Sequence, residues 1–237
     1  MNKQKLIEDI RAYCNTCANE ATVKKYSRFF KEGFDAYGLS QEQVEIKVKE
    51  LLQTPGVNIS LILKAAPELL ETGKYEETSF VLLLLNGFEK EFSKKVFEEI
   101  GKWFSYGICN WAHADTLGMF ILPKFISRGI IAPEYLKPWI SSKYKYQRRT
   151  VPVALIKSLK TSKNFSSFFR LIQPLMTDSE RVVHQGVGWF LREAWKLNRE
   201  RTEGYLFKWK DKAPRLIFQY ATEKMTSKEK KRFRRER

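Results

Sequence analysis

The sequence predicts an all-α protein, a solenoid of stacked helix pairs with a basic concave face. Three observations predict it. Apolar residues recur at helical spacing almost throughout, and no run of clean apolar–polar alternation bounded by turn residues supports a strand. Capping-box patterns mark helix starts at Ser40 with Gln43, Thr177 with Glu180 and Thr226 with Glu229, where a side-chain oxygen takes an orphan amide and the residue three on reaches back. Pro and Gly punctuate the chain at Pro55-Gly56, Gly73, Gly129, Pro133 and Gly204, leaving segments joined by short connections.

Taken in order, helices are read over 3–20 and 23–35, then over 41–53, which the Ser40 box opens and Pro55-Gly56 closes. The next runs over 58–71 and stops at Gly73; two more cover 75–90 and 93–105. A helix over 111–128 ends at Gly129, and one over 133–141 opens on Pro133. Helices over 145–160 and 164–176 follow; the Thr177 box opens 179–197. The last are 200–208, 212–223 and 227–235, the final one opened by the Thr226 box. Pairs recur at roughly 35–40 residues, the period of HEAT-like helical repeats; the alternative is an irregular bundle. With 237 residues, 43% of them hydrophobic, the chain is read as a single domain over 1–237 carrying a basic tail over 224–237.

Charge is unevenly spread. Residues 1–118 hold 15 basic and 17 acidic side chains, while 119–237 hold 28 basic and 10 acidic. An excess confined to one half points to a polyanion, nucleic acid before an acidic membrane surface. The bland alternative is a solvated basic surface. Three cysteines, Cys14, Cys17 and Cys109, are too few for a disulfide scaffold. Cys14 and Cys17 form one CxxC without a second pair, and His113 and His184 lie far off, so no metal site is read. The N-terminus has no signal-like apolar segment, and the longest apolar run, Phe80–Leu85, is too short to span a bilayer. The expectation is a soluble cytoplasmic protein, monomeric, with no membrane partner and no cofactor.

Four segments carry candidate chemistry. In 179–197, Val183, Val187, Phe190, Leu191 and Ala194 form the core stripe. Trp189 falls almost opposite, among Arg181, Gln185, Arg192 and Lys196. Gly186 and Gly188 beside it weaken the helix and allow a backbone or a ligand to approach. This reads as a nucleotide platform flanked by phosphate contacts, or as a Trp buried against a neighbouring repeat. In 110–122, Trp111 and Asp115 are four apart and stack on one helix face, with Gly118 leaving a notch. A carboxylate under an indole suits a cation or a developing positive charge; the plain alternative is a core Trp and a capping Asp. His113 points away and is read as incidental. In 143–160, Val151, Leu155 and Leu159 define the core, Arg149 projects outward with Lys157 and Lys160, and Arg148 lies nearer the core edge. That is the shape of a phosphate clamp or of a solvated face. The tail, rich in Lys and Arg from Lys228 to Arg237, is a backbone grip or a frayed terminus.

At these residues the chain resembles the AlkD-type DNA alkylation repair glycosylases. Trp111-Ala112-His113-Ala114-Asp115 resembles the family's Trp-x-x-x-Asp. Gln147-Arg148-Arg149-Thr150 is similar to its Gln-Arg segment, with Arg149 the better match, and Gly188-Trp189-Phe190-Leu191-Arg192-Glu193 is close to its Gly-Trp-x-Leu-Arg-Glu. Arg28-Phe29-Phe30-Lys31, with Phe34 and Tyr37-Gly38-Leu39, resembles the N-terminal signature, with Phe29 standing where the family commonly has Tyr. The likeness runs roughly over 20–225.

The resemblance implies a HEAT-like solenoid cradling duplex DNA, and removal of cationic N3- and N7-alkylated purines without flipping the base into a pocket. It implies that Trp111, Asp115 and Trp189 surround the lesion's deoxyribose, that Arg149 holds phosphate and that Phe29 lies near the DNA; the basic residues read from the helix faces, Arg148, Lys157, Lys160, Arg181, Arg192 and Lys196, are expected to be further DNA contacts. The expected function is therefore a DNA-alkylpurine glycosylase acting on alkylated double-stranded DNA. The competing expectations are a non-catalytic DNA-binding protein of the same fold, and a helical scaffold for RNA or an acidic protein.

Overall fold

The computed structural model describes residues 1–161 and 165–235. The expected helix start at 164 and Arg237 of the tail lie outside the described residues. The protein is all-α, and no strand occurs among the described residues. Its contacts divide into two compact units, Met1–His113 and Ala114–Arg237.

Unit 1 is built from α1 (Lys3–Thr16), α2 (Glu20–Ser27), α3 (Gln41–Gln53), α4 (Ile59–Glu71), α5 (Tyr75–Gly87) and α6 (Lys94–Tyr106), and α7 (Trp111–Thr116) begins in it. Its helix starts follow side-chain chemistry. Asn2, Asn19, Ser40, Asn58 and Ser93 each accept an amide of the first turn, and Ser40 with Gln43 closes a full capping box. The helices pack largely on non-consecutive neighbours, α4 against α1, α5 and α6, and α3 against α5. Leu6, Ile7, Ile10, Leu51, Ile62, Leu69, Phe80 and Trp103 are sealed in the core. Each such large side chain contributes about 1.5–3 kcal/mol of burial.

The expected helix over 23–35 is shorter in the structure. It is α2, which ends at Ser27, and 28–40 runs without regular structure. The end of that segment is held from α5. The buried Glu76 carboxylate accepts the amides of Tyr37 and Gly38, both at 2.8 Å, and of Leu39 at 3.1 Å. Those amides would otherwise need helical carbonyls. Gly38 permits the turn, with φ of +91° and no room for a Cβ, which would sit 2.1 Å from the Asn19 carbonyl oxygen.

Unit 2 holds the rest of the long 111–128 helix: a π-helical turn over Leu117–Ile121, then α8 (Leu122–Ser127). The Leu122 amide reaches back five residues to the Leu117 carbonyl. Pro123 explains the widening, because a tight helix would drive its ring into the preceding turn. There follow α9 (Lys137–Ile140), α10 (Lys145–Leu155), α11 (Phe165–Ile172), α12 (Arg181–Leu197), α13 (Arg199–Trp209), α14 (Arg215–Ala221) and α15 (Ser227–Lys231). The axis of the unit is α12, packed on both α10 and α14.

Three local expectations are corrected here. No capping box forms at Thr177; α12 starts at Arg181, because the Asp178 carboxylate takes the Glu180 amide at 2.8 Å instead. The 145–160 helix ends at Leu155, and Lys157–Lys160 form a separate 3₁₀ turn that breaks their register with Arg149. The tail is docked rather than frayed. Thr226 and Glu229 form their capping box, Phe233 is sealed against Phe207 at a ring distance of 4.6 Å, and Arg232 pairs with Glu203 at 2.8 Å.

Candidate active site

In unit 1 the non-helical 28–40 segment presents aromatic rings to Trp111. Phe34 stacks on Phe30 at 4.5 Å, Phe30 stacks on Trp111 at 5.6 Å, and the Trp111 indole N–H donates to the Phe29 carbonyl at 3.2 Å. Trp111 is still 38% exposed and Phe29 51% exposed, with the Arg28 guanidinium 4.8 Å from the Phe29 ring centre. Trp111 is thus neither core nor free. One part of it is braced and another faces solvent, which suits a ring meant to pack on something else. The bracing pair Phe30 and Phe34 belongs to the N-terminal signature, but nothing in the local spacing assigns it this bracing role.

His113 is structural rather than incidental. It is buried, stacked on Tyr75 at 4.5 Å. Its Nδ1 lies 2.7 Å from the Asn110 amide nitrogen, a donor, so Nδ1 accepts and Nε2 carries the hydrogen, facing Ser79 Oγ at 3.1 Å. Protonating Nδ1 would set donor against donor in a dry site. Burial accordingly lowers the pKa from 6.5 to about 3. The unfolded chain therefore binds this proton at higher pH than the fold does, and stability is lost as pH falls below 6.5. The unfolding free energy from urea titrations is expected to fall between pH 6.5 and 5, above the carboxylate range, with a slope approaching about 1.4 kcal/mol per pH unit. His113→Phe should remove that slope; a wild-type profile flat over this interval would refute it.

In unit 2 the central feature is a buried ion pair. Arg149 Nε donates to Asp115 Oδ1 at 2.9 Å, Nη2 donates to Asp115 Oδ2 at 2.8 Å, and Nη1 donates to the Val182 carbonyl at 2.7 Å. The side chains are 8% and 15% exposed respectively. Thr150 ties the same helices together, donating to the Tyr146 and Ala114 carbonyls. Burial raises the Asp115 pKa above the ordinary 3.8, and wins against the two guanidinium bonds, which lower it. A carboxylate so held keeps its orientation, leaves an edge accessible, and cannot swing away to meet water.

This corrects the reading of Arg149 as an outward residue. Nine of the eleven residues of α10 are buried, because the helix is packed on more than one side and its single core stripe understates its burial. The notch at Gly118 is corrected too. It is filled by α10: a Cβ there would stand 2.7 Å from Val153 Cγ1. The glycines before Trp189 serve packing. A Cβ on Gly186 would meet Arg149 Cγ at 3.1 Å, and one on Gly188 would meet Tyr220 Cβ at 2.5 Å. The close neighbours they admit are helices α10 and α14, not a ligand.

Trp189 is half-buried, with no ring or hydrogen-bond partner among the described residues. The cations near it are largely neutralised: Arg192 pairs with Glu193 and Glu223, and Lys196 with Glu193 at 2.8 Å. Arg148 is likewise taken, by Asp178 at 2.6 Å and the Ser142 carbonyl at 2.7 Å. Lys157 lies 5.0 Å from the Phe120 ring and is exposed, as are Lys160 and Arg181, and none of these three has an ion pair among the described residues. Of the residues expected along DNA in this unit, those three can take a phosphate without breaking an existing bond.

No group of three or more His, Cys, Asp or Glu suited to a metal occurs among the described residues. Cys14 is buried, its thiol pushed up to about 12 by burial. Over residues 10–225 the chain matches the family described as DNA alkylation repair enzyme. A solved structure, of a predicted DNA alkylation repair enzyme from Enterococcus faecalis, superposes with a TM-score of 0.71 at 16% identity, over 89% of this chain and 97% of its own. At that identity the likeness is one of fold. No curated protein matches the chain.

Proposed function

Because the chain belongs to the family of DNA alkylation repair enzymes, we propose that it is a DNA glycosylase that hydrolyses the N-glycosidic bond of cationic N3- and N7-alkylated purines in duplex DNA, without base flipping. The observation that carries the reading is Asp115, a buried carboxylate fixed by two bonds from Arg149 yet still partly accessible.

The chemistry asks for little else. An N3- or N7-alkylated purine is already cationic, so it leaves as a neutral base, taking the electron pair of the C–N bond, without a general acid. Positive charge then builds on the sugar, as in other oxocarbenium-like transition states. A desolvated, preorganised carboxylate stabilises that charge strongly. It also accepts a proton from the water that adds to C1′. Trp189 would lie against the sugar, adding about 0.5–2 kcal/mol of cation–π attraction. Unit 2 carries 28 basic and 11 acidic side chains, a charge suited to duplex phosphates. On this reading unit 2 meets the duplex phosphates through Lys157, Lys160 and Arg181. The chain acts as a cytoplasmic monomer that meets DNA in the nucleoid.

The test is release of free 7-methylguanine from a defined duplex, resolved by chromatography. Wild type is expected to release it from alkylated duplex and to leave plain duplex intact. Trp189→Ala should slow release by about 2- to 30-fold, the rate equivalent of one lost cation–π contact. No release, with equal affinity for damaged and undamaged duplex, would leave the non-catalytic DNA-binding or scaffold readings in its place.

A further inference from the structure

Apart from Asp115 and Trp189, unit 2 carries a cleft of about 710 Å³ between α11 and α13. Its wall includes Arg170, Arg201, Lys208 and Lys212, and no carboxylate. Among the described residues none of these four cations has an ion-pair partner. The contrast with Arg148, Arg192 and Lys196 is direct, for those are all held by Asp or Glu. Four cations drawn together without a counter-charge repel one another, and an external polyanion relieves that.

The floor is aromatic. Tyr205 stacks on Phe169 at 4.6 Å, 18° from parallel, and donates its hydroxyl to the Phe169 carbonyl at 3.3 Å. Trp209 lies 6.5 Å from Tyr205 and tilts 52° to it. On α13 the pattern Arg201, Tyr205, Lys208, Trp209, Lys212 places cation and ring alternately along one helix face, Lys212 lying just past its end. Between them stands Gly204, inside the helix and exposed, where a Cβ would meet nothing within 4 Å. Its neighbours give no packing reason for a glycine, and its effect is to leave the cleft open.

We propose that this cleft binds single-stranded nucleic acid, the cations taking phosphates and the rings taking unpaired bases. Unpaired bases offer π faces that a duplex hides, and a basic groove with aromatic rings is how sequence-tolerant single-strand binders work. An acidic peptide would use the cations and leave the rings idle. The proposal does not rest on the glycosylase reading.

The test uses the full chain and a fluorescein-labelled oligo-dT, with anisotropy read across a salt series. The Arg201→Ala/Lys208→Ala/Lys212→Ala variant should bind the strand at least tenfold more weakly. Its slope of log K against log salt should be shallower by about 2, near 0.7 per lost phosphate contact. Trp209→Ala should weaken binding about fivefold or more, and Trp209→Phe should restore most of it. All the changes are at the cleft surface, and release of 7-methylguanine from duplex, where wild type performs it, should be unaltered. Unchanged affinity and slope in these variants would overturn the proposal. So would displacement of the strand by poly-glutamate together with indifference to Trp209, which would make the cleft a site for an acidic protein.

Discussion

Replacing Asp115 by asparagine is expected to cut release of 7-methylguanine by at least about a hundredfold while duplex affinity changes by less than about threefold. Asparagine keeps the size and one carbonyl acceptor but loses the charge. Removing one preorganised electrostatic contact to a transition state commonly costs 10²–10³ in rate, and here the contact removed is a full charge. Binding should survive because the phosphates are met by other cations. The substitution also leaves one Arg149 N–H facing an amide NH₂, at about 1–3 kcal/mol of stability. The assay therefore belongs well below the variant's melting temperature, read by circular dichroism. Undiminished base release by the folded variant would remove Asp115 from the chemistry. The same role fixes a pH dependence. Burial raises the Asp115 pKa above 3.8, and only the ionised form stabilises a cation, so the acidic limb of the rate profile should lie above the ordinary carboxylate value.

The second large effect is on stability. Arg149→Met leaves a carboxylate 15% exposed with its two guanidinium bonds gone, and breaking a buried pair from one side costs about 3–5 kcal/mol. The Asp115 pKa then rises further, since only Arg149 was lowering it. A raised carboxylate pKa means the fold binds the proton more tightly than the unfolded chain, so stability declines as pH rises through that raised value. The deficit against wild type should thus be greatest at neutral pH and shrink on acidification toward 3.8. Urea unfolding at pH 8 and pH 5 checks it. The double variant Arg149→Met/Asp115→Asn should recover most of the loss, because no charge is then stranded. A deficit independent of pH, undiminished in the double variant, would mean that the arginine stem's packing matters and the pair does not.

Arg149 also marks where local reasoning stops. Its helix shows one apolar stripe, and a lone stripe places arginines outside. The partner that reverses this, Asp115, is 34 residues away and on another helix, so no window of sequence contains both. Gly118, Gly186 and Gly188 are alike: the sequence says that something comes close, and only packed neighbours identify it as Val153, Arg149 and Tyr220. The 28–40 segment is a further case, for its apolar residues have helical spacing, yet buried Glu76 takes three of its amides.

What could be read in advance shares one property, that cause and effect lie within a few residues. The all-helical class follows from a period of 3.6, the starts at Ser40 and Thr226 from caps three residues long, and the basic half from a count of charges. The motifs around Trp111, Asp115 and Trp189 are equally short, and with them came the family. Which cations stay available, which carboxylate is buried, and which ring is braced depended on long-range packing. Desolvation and ion pairing are set by whatever surrounds a group in three dimensions, and that surrounding is assembled from distant parts of the chain.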